Sequence, residues 1–146
     1  MEVLVKKLHP DAMIPTFGSK DAAGADLYAY LPDKGQVAIA PHHTAFVGTG
    51  ISTAIPTGYW GGIYARSGLA CKRGLAPANK VGVIDPDYRG EIIVAIHNDS
   101  REPQIIHHGD RVAQFVITPV PEITYKETNE LDSTARGEGG FGHTGV

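Results

Sequence analysis

Apolar residues along this chain fall in short runs, none longer than the five residues Ile92 to Ile96, and turn formers separate almost all of them. At the amino end Val3 and Val5 alternate with Leu4 and Lys6. That period of two predicts a strand over Glu2 to Leu8, ended by His9-Pro10. Similar signals predict strands at Val37 to Ile39, Ala45 to Thr49, Ile51 to Ile55 and Tyr59 to Tyr64. Further strands are predicted at Val81 to Ile84, Ile92 to Ile96, Pro103 to Ile106 and Asp110 to Thr118. Pro41, Gly50, Pro56-Thr57-Gly58 and His107-His108-Gly109 punctuate the series, and Ala12 to Asp21 reads as irregular. One stretch departs from the pattern, Ala65-Arg66-Ser67-Gly68-Leu69-Ala70. There Ser67 is placed to cap a helix that Gly68 and Gly74 confine to one or two turns. Many short strands with one short helix predict an all-β domain.

Composition narrows this reading. At 146 residues the chain has the size of one domain able to bury a core, and its 18 glycines and 10 prolines suit strands joined by turns. A hydrophobic share of 42% with 20% charged residues is that of a soluble globular protein. The formal net charge of −3 provides no overall basic field for nucleic acid, so a polyanionic ligand must meet local basic groups or a metal. Cys71 has no partner for an internal disulfide, and no apolar run is long enough for a signal peptide or a membrane span. A reducing, cytoplasmic setting is expected. From Ile123 onward the sequence turns polar and then glycine-rich, so residues 1–122 are expected to form the domain and 123–146 a flexible carboxy-terminal arm.

Candidate chemistry concentrates between Val81 and Glu91, where apolar arms flank Asp85-Pro86-Asp87-Tyr88-Arg89-Gly90. The pattern predicts a hairpin. Pro86 presets one torsion and Gly90 permits left-handed geometry, which makes a turn stiff enough to fix a carboxylate. Asp and Pro are also ordinary turn formers, so a purely structural turn is the alternative. Asp26 opens a short strand directly after Ala22-Ala23-Gly24-Ala25, small residues that leave space for a ligand or a close backbone. Arg66-Ser67-Gly68 is either a capped helix start beside a surface arginine or an anion cradle.

In the tail, Gly137, Gly139 and Gly142 match the dinucleotide-binding glycine pattern formally. No strand precedes them and only four residues follow Gly142, too few for the helix that would hold a pyrophosphate. Either a flap anchored by Arg136 and Phe141 or a simply disordered tail accounts for the glycines. His42-His43 and His107-His108 invite a metal, but neighbours on extended backbone point to opposite faces, so both pairs read as surface turn residues.

Together these stretches resemble one family, the homotrimeric dUTP pyrophosphatases (dUTPases). Five blocks carry the likeness in the family's order: Ala23 to Leu27, Ala65 to Ala70, Val81 to Glu91, Gly109-Asp110-Arg111-Val112-Ala113-Gln114, and Arg136 to Gly145. The resemblance implies a jelly-roll-like β-barrel assembled as a homotrimer, with active sites at subunit interfaces and the arm closing over one of them. It implies Mg²⁺-assisted hydrolysis of dUTP to dUMP and pyrophosphate by water attack on the α-phosphate, which lowers dUTP and supplies dUMP for thymidylate synthesis. Asp85 would activate the water and meet the sugar 3′-hydroxyl, with Gln114 helping to hold the water. Tyr88 would stack under the deoxyribose, and Arg66, Ser67 and Gly68 would hold phosphates. Asp26 would reach the metal through its water shell, Arg136 would meet the terminal phosphate, and Phe141, beside Gly142, would cover the uracil.

Uracil presents acceptor, donor, acceptor along its pairing edge, which backbone groups of Val81, Gly82 and Val83 match, with Asn79 assisting. Position 143 departs from the family pattern, holding His143 where the usual tail has serine. A neutral imidazole can still donate to phosphate, and arm closure is then expected to be pH-sensitive. Two rivals stand against this reading. A dCTP deaminase of the same fold needs a glutamate on the strand after the turn, where this chain has Ala95. A non-catalytic signalling module would have no use for the carboxylate of Asp85.

Overall fold

In the computed structural model, which describes residues 1–141, almost all regular structure is β. The strands are β1 (Leu4–Lys7), β2 (Thr16–Phe17), β3 (Ala25–Tyr28), β4 (Gln36–Ile39), β5 (Thr44–Gly48) and β6 (Ile51–Ala54). They continue as β7 (Tyr59–Tyr64), β8 (Leu75–Pro77), β9 (Gly82–Ile84), β10 (Ile93–Asn98), β11 (Gln104–His107) and β12 (Arg111–Pro119). One helix, α1 (Ser67–Arg73), and a three-residue 3₁₀ turn at Pro32–Lys34 complete the set. The strands form a five-stranded sheet in the order β2-β3-β12-β7-β9, a three-stranded sheet β5-β10-β8, and the pairs β1-β6 and β11-β4. All pairings are antiparallel. The architecture is jelly-roll-like, as the family resemblance implied.

Alternation explains how the layers close. Along β10, Val94, Ile96 and Asn98 are buried while Ile93, Ala95 and His97 face outward, and the buried set joins Leu27, Ile39, Val47, Ile51, Ile92, Ile106 and Ala113 in one core. Burying a side chain of this size contributes about 1.5–3 kcal/mol. Asn98 is the polar exception. Its amide nitrogen donates to the carbonyls of Ile39 at 2.9 Å and Glu102 at 2.8 Å, so the buried group is satisfied.

Two short strands, β2 and β8, were not legible as apolar runs. Each is defined by its ladder, β2 against β3 and β8 against β10. The hairpin expected from Val81 to Ile96 does not form. β9 pairs with β7, whereas β10 pairs with β5 and β8, so the segment from Asp85 to Glu91 crosses between sheets. A turn between two apolar runs specifies a reversal, not which strand each arm will meet.

That crossing is anchored at its carboxy end. Thr49 donates to the Ile92 carbonyl from its backbone at 3.1 Å and its hydroxyl at 2.7 Å, and Ile92 donates to Ile51 at 2.9 Å. Gly50 donates to Glu91 Oε1 at 2.7 Å.

Candidate active site

The crossing segment borders a cleft of about 250 Å³ lined by Asn79, Gly82, Val83, Asp85, Tyr88 and Glu91, with Ile63 and Ile93 as apolar walls. β9 is the outer strand of its sheet, so the backbone edge facing away from β7 has no strand partner among the described residues. Such an edge can pair with a planar ligand carrying donors and acceptors in a row. Gly82 is needed on the paired side, where a Cβ would stand 3.1 Å from Ile63 Cβ on β7.

Asp85 follows β9 directly and is exposed. Its carbonyl accepts from the Tyr88 amide at 3.2 Å, closing the turn. Arg89 Nη1 donates to the carbonyls of Pro86 at 2.7 Å and Tyr88 at 3.0 Å, and Tyr88 Oη donates to Glu91 at 3.0 Å. The turn is therefore stiff, but not for the reason expected of Gly90, which does not have left-handed torsions. A Cβ at position 90 would collide with the Tyr88 ring and hydroxyl. Gly90 is needed for the tyrosine to lie across the turn. Gly90→Ala is accordingly expected to displace Tyr88, and crystallography of the variant checks this; an unmoved ring would contradict it.

A second group of candidates lies around Asp26. This carboxylate is buried on β3, with its side chain 7% exposed. It accepts from Arg66 Nε at 2.8 Å on Oδ1 and from Arg111 Nη1 at 3.3 Å on Oδ2. Gln114 on β12 stands opposite Asp26 on one side and Tyr64 on the other. The small residues before Asp26 serve close strand packing: a Cβ on Gly24 would lie 3.1 Å from Val116 Cγ2 and 3.3 Å from Gln114 Cβ. Arg111 was missed as a partner of Asp26. Its only signal was a positive charge within the Gly109 to Gln114 block.

At the start of α1, Arg66 occupies the cap position without a side-chain capping bond, and Ser67 is the first helical residue rather than the cap. Ser67 and Gly68 are exposed, and a Cβ on Gly68 would meet nothing nearby. The Ser67 hydroxyl is thus not assigned to capping, and Arg66 is held by Asp26.

The chain does not bring all its candidates to one place. None of Asp26, Arg66, Ser67, Gly68 and Gln114 lines the cleft that holds Asp85 and Tyr88. Arg136 and Phe141 lie on an exposed segment, where Arg136 Nε donates to Gly139 at 2.9 Å. Gly142 and His143 fall outside the described residues.

The dUTPase family model matches residues 11–145. A deoxyuridine 5′-triphosphate nucleotidohydrolase of Syntrophotalea carbinolica is 49% identical over 98% of this chain and 96% of the relative. One from a Hydrogenobaculum strain is 44% identical over 100% and 99%. Among solved structures, a mutant dUTPase of Staphylococcus bacteriophage 80alpha with dUpNHpp is similar at a TM-score of 0.85 and 28% identity, covering 99% of both chains. A mutant dUTPase from phage phi11 of S. aureus, whose structure concerns a structural Mg(II) ion, is similar at 0.81 and 25% identity, covering 91% of this chain and 100% of that one. A family match spanning nearly the whole chain, with relatives this similar over their full length, shows that the chain belongs to the dUTPase family.

Proposed function

We propose that this chain hydrolyses dUTP to dUMP and pyrophosphate, in sites completed between the subunits of a homotrimer. One observation carries the reading: the unpartnered edge of β9, Asp85 and Tyr88 meet in a single cleft. Backbone groups from Val81 to Val83, with Asn79, match the pairing edge of uracil. Cytosine reverses two of its three groups and would leave buried partners unpaired, a discrimination that can reach about 10⁴. Tyr88 packs under the sugar and leaves no space for a ribose 2′-hydroxyl. Asp85 takes a proton from water while the water oxygen bonds to the α-phosphorus. The bond from that phosphorus to the bridging oxygen breaks, and pyrophosphate leaves with the electron pair. Gln114 helps to hold the water.

The phosphates need positive charge, since the triphosphate carries roughly four negative charges and the chain has a formal net charge of −3. Arg66, Ser67 and Gly68 supply a binding surface, and Arg136 with Phe141 and Gly142 closes it from the arm. Because the first of these groups lies outside the cleft, a second subunit provides it. Phe46 and Ile93, exposed and lining one hollow beside Asn79, support subunit packing at this edge. The body of residues 1–122 holds the sites, and the arm of 123–146 closes over them.

Each oxygen of Asp26 accepts from one arginine and keeps a further lone pair, to which a metal-bound water can donate. That arrangement fits Mg²⁺ held mainly by substrate phosphates, with Asp26 reaching it through water. Bound there, the ion neutralises phosphate charge. Cys71 is exposed and free, which suits a reducing cytoplasm.

Incubation with dUTP, dCTP, dTTP and UTP, with pyrophosphate and ammonia both measured, tests the activity. Pyrophosphate from dUTP alone is expected. Ammonia from dCTP would instead indicate deamination, against which stands Ala95 on the outward face of β10.

A further inference from the structure

Away from the cleft, the turn before β5 and the end of β10 bring three metal-ligating side chains together. One ligand atom from each of His42, His97 and Asp99 lies within 4.8 Å of the others. Bonds of about 2.0–2.2 Å place donors around a tetrahedral zinc ion roughly 3–3.5 Å apart, so modest side-chain rotation closes the remaining gap. The adjacent His42-His43 pair is not the ligand set. His43 Nδ1 is tied to the Pro41 carbonyl at 2.8 Å, and His42 finds its partners on another strand.

The backbone fixes all three residues. His42 has a φ of 59°, uncommon for a residue with a side chain. Its amide donates to Asn98 at 2.7 Å, and the Asn98 amide donates back to His43 at 3.0 Å. Asn98, fully buried, clamps the following turn by accepting from the amide and hydroxyl of Ser100 at 2.9 and 2.7 Å. Asp99 donates from its amide to Gly74 at 2.8 Å.

The Thr44 hydroxyl lies 3.0 Å from His97 Nδ1, which leaves Nε2 for a ligand bond. The hydroxyl oxygen can accept there as a carboxylate, carbonyl or water does beside a metal-bound histidine. A hollow of about 240 Å³ beside His97 and Asp99, also lined by Lys80, leaves room for water to complete the coordination.

We propose that His42, His97 and Asp99 form a binding site for a transition-metal ion of the zinc class. The site is distinct from the nucleotide cleft and independent of the reading given to it. Two imidazoles with one carboxylate select zinc, cobalt or nickel over magnesium, which prefers oxygen ligands. The ion joins the turn between β4 and β5 to the end of β10, and so ties together two segments distant in sequence.

The test titrates chelator-treated full-length protein with Zn²⁺ by calorimetry, and with Co²⁺ by visible absorption, in excess Mg²⁺. One strong Zn²⁺ per chain is expected, with the absorption of four-coordinate cobalt and a higher Tm in zinc. His97→Gln, Asp99→Asn and His42→Asn, the last chosen because asparagine tolerates left-handed torsions, should weaken binding by more than about 100-fold. Thr44→Val should weaken it by about 10- to 100-fold, and His43→Gln should leave it unchanged. Circular dichroism and melting of the metal-free variants establish that they are folded. Absence of strong Zn²⁺ binding, displacement of Co²⁺ by Mg²⁺, or binding that persists in folded His97→Gln and Asp99→Asn would each overturn the site.

Discussion

Asp85→Asn is expected to lower kcat by about 10²–10⁴, the usual contribution of a positioned general base, while the affinity for dUpNHpp stays close to that of the unaltered protein. Asparagine keeps the size of the side chain and can still meet a sugar hydroxyl, but it cannot take a proton from water. The turn itself should survive, because its closing bond uses the Asp85 carbonyl and not the carboxylate. Single-turnover hydrolysis of dUTP and calorimetry with dUpNHpp separate the two effects. If binding fell along with turnover, Asp85 would be a positioning residue for the nucleotide and the base would lie elsewhere.

Deleting residues 136–146 is expected to leave the proposed trimer folded, with kcat/KM reduced by about 10²-fold or more. Stacking of an aromatic ring on a base contributes roughly 1–3 kcal/mol, and loss of Arg136 removes a charge-assisted phosphate contact as well. Among its described residues, 136–141, the hydrogen bonds are local: Arg136 reaches Gly139, and Gly137 donates to Thr134 at 3.1 Å. The body should therefore lose little stability. Light scattering coupled to gel filtration gives the mass, and steady-state dUTP hydrolysis gives the activity. A monomer would show that the arm holds the subunits together, and full activity would remove Arg136 and Phe141 from the site.

One variant probes the cleft and the other the arm, whose Arg136 and Phe141 do not line that cleft. Asp85 and Tyr88 are held by short-range bonds within one turn, so their proximity was legible from their spacing. Their relation to β7 and to Ile93 was not, because β9 and β10 go to different sheets. Asp26 illustrates the converse. Small residues before it suggested space for a ligand or a close backbone, and the fold brings β12 against Gly24 and two guanidinium groups onto the carboxylate. Nothing local to Asp26 announces Arg66 or Arg111.

By itself the sequence determined the local character of this protein. Its period-two apolar runs and dense turns specified short strands, one helix near Ser67 and an exposed tail, since backbone torsions and side-chain alternation depend on neighbours along the chain. Tertiary structure alone decided which strands pair, why Gly90 must lack a side chain, which arginines hold Asp26, and that His42 meets His97 and Asp99. Those outcomes depend on ladder registers between distant segments, where burial of a shared core selects the partner.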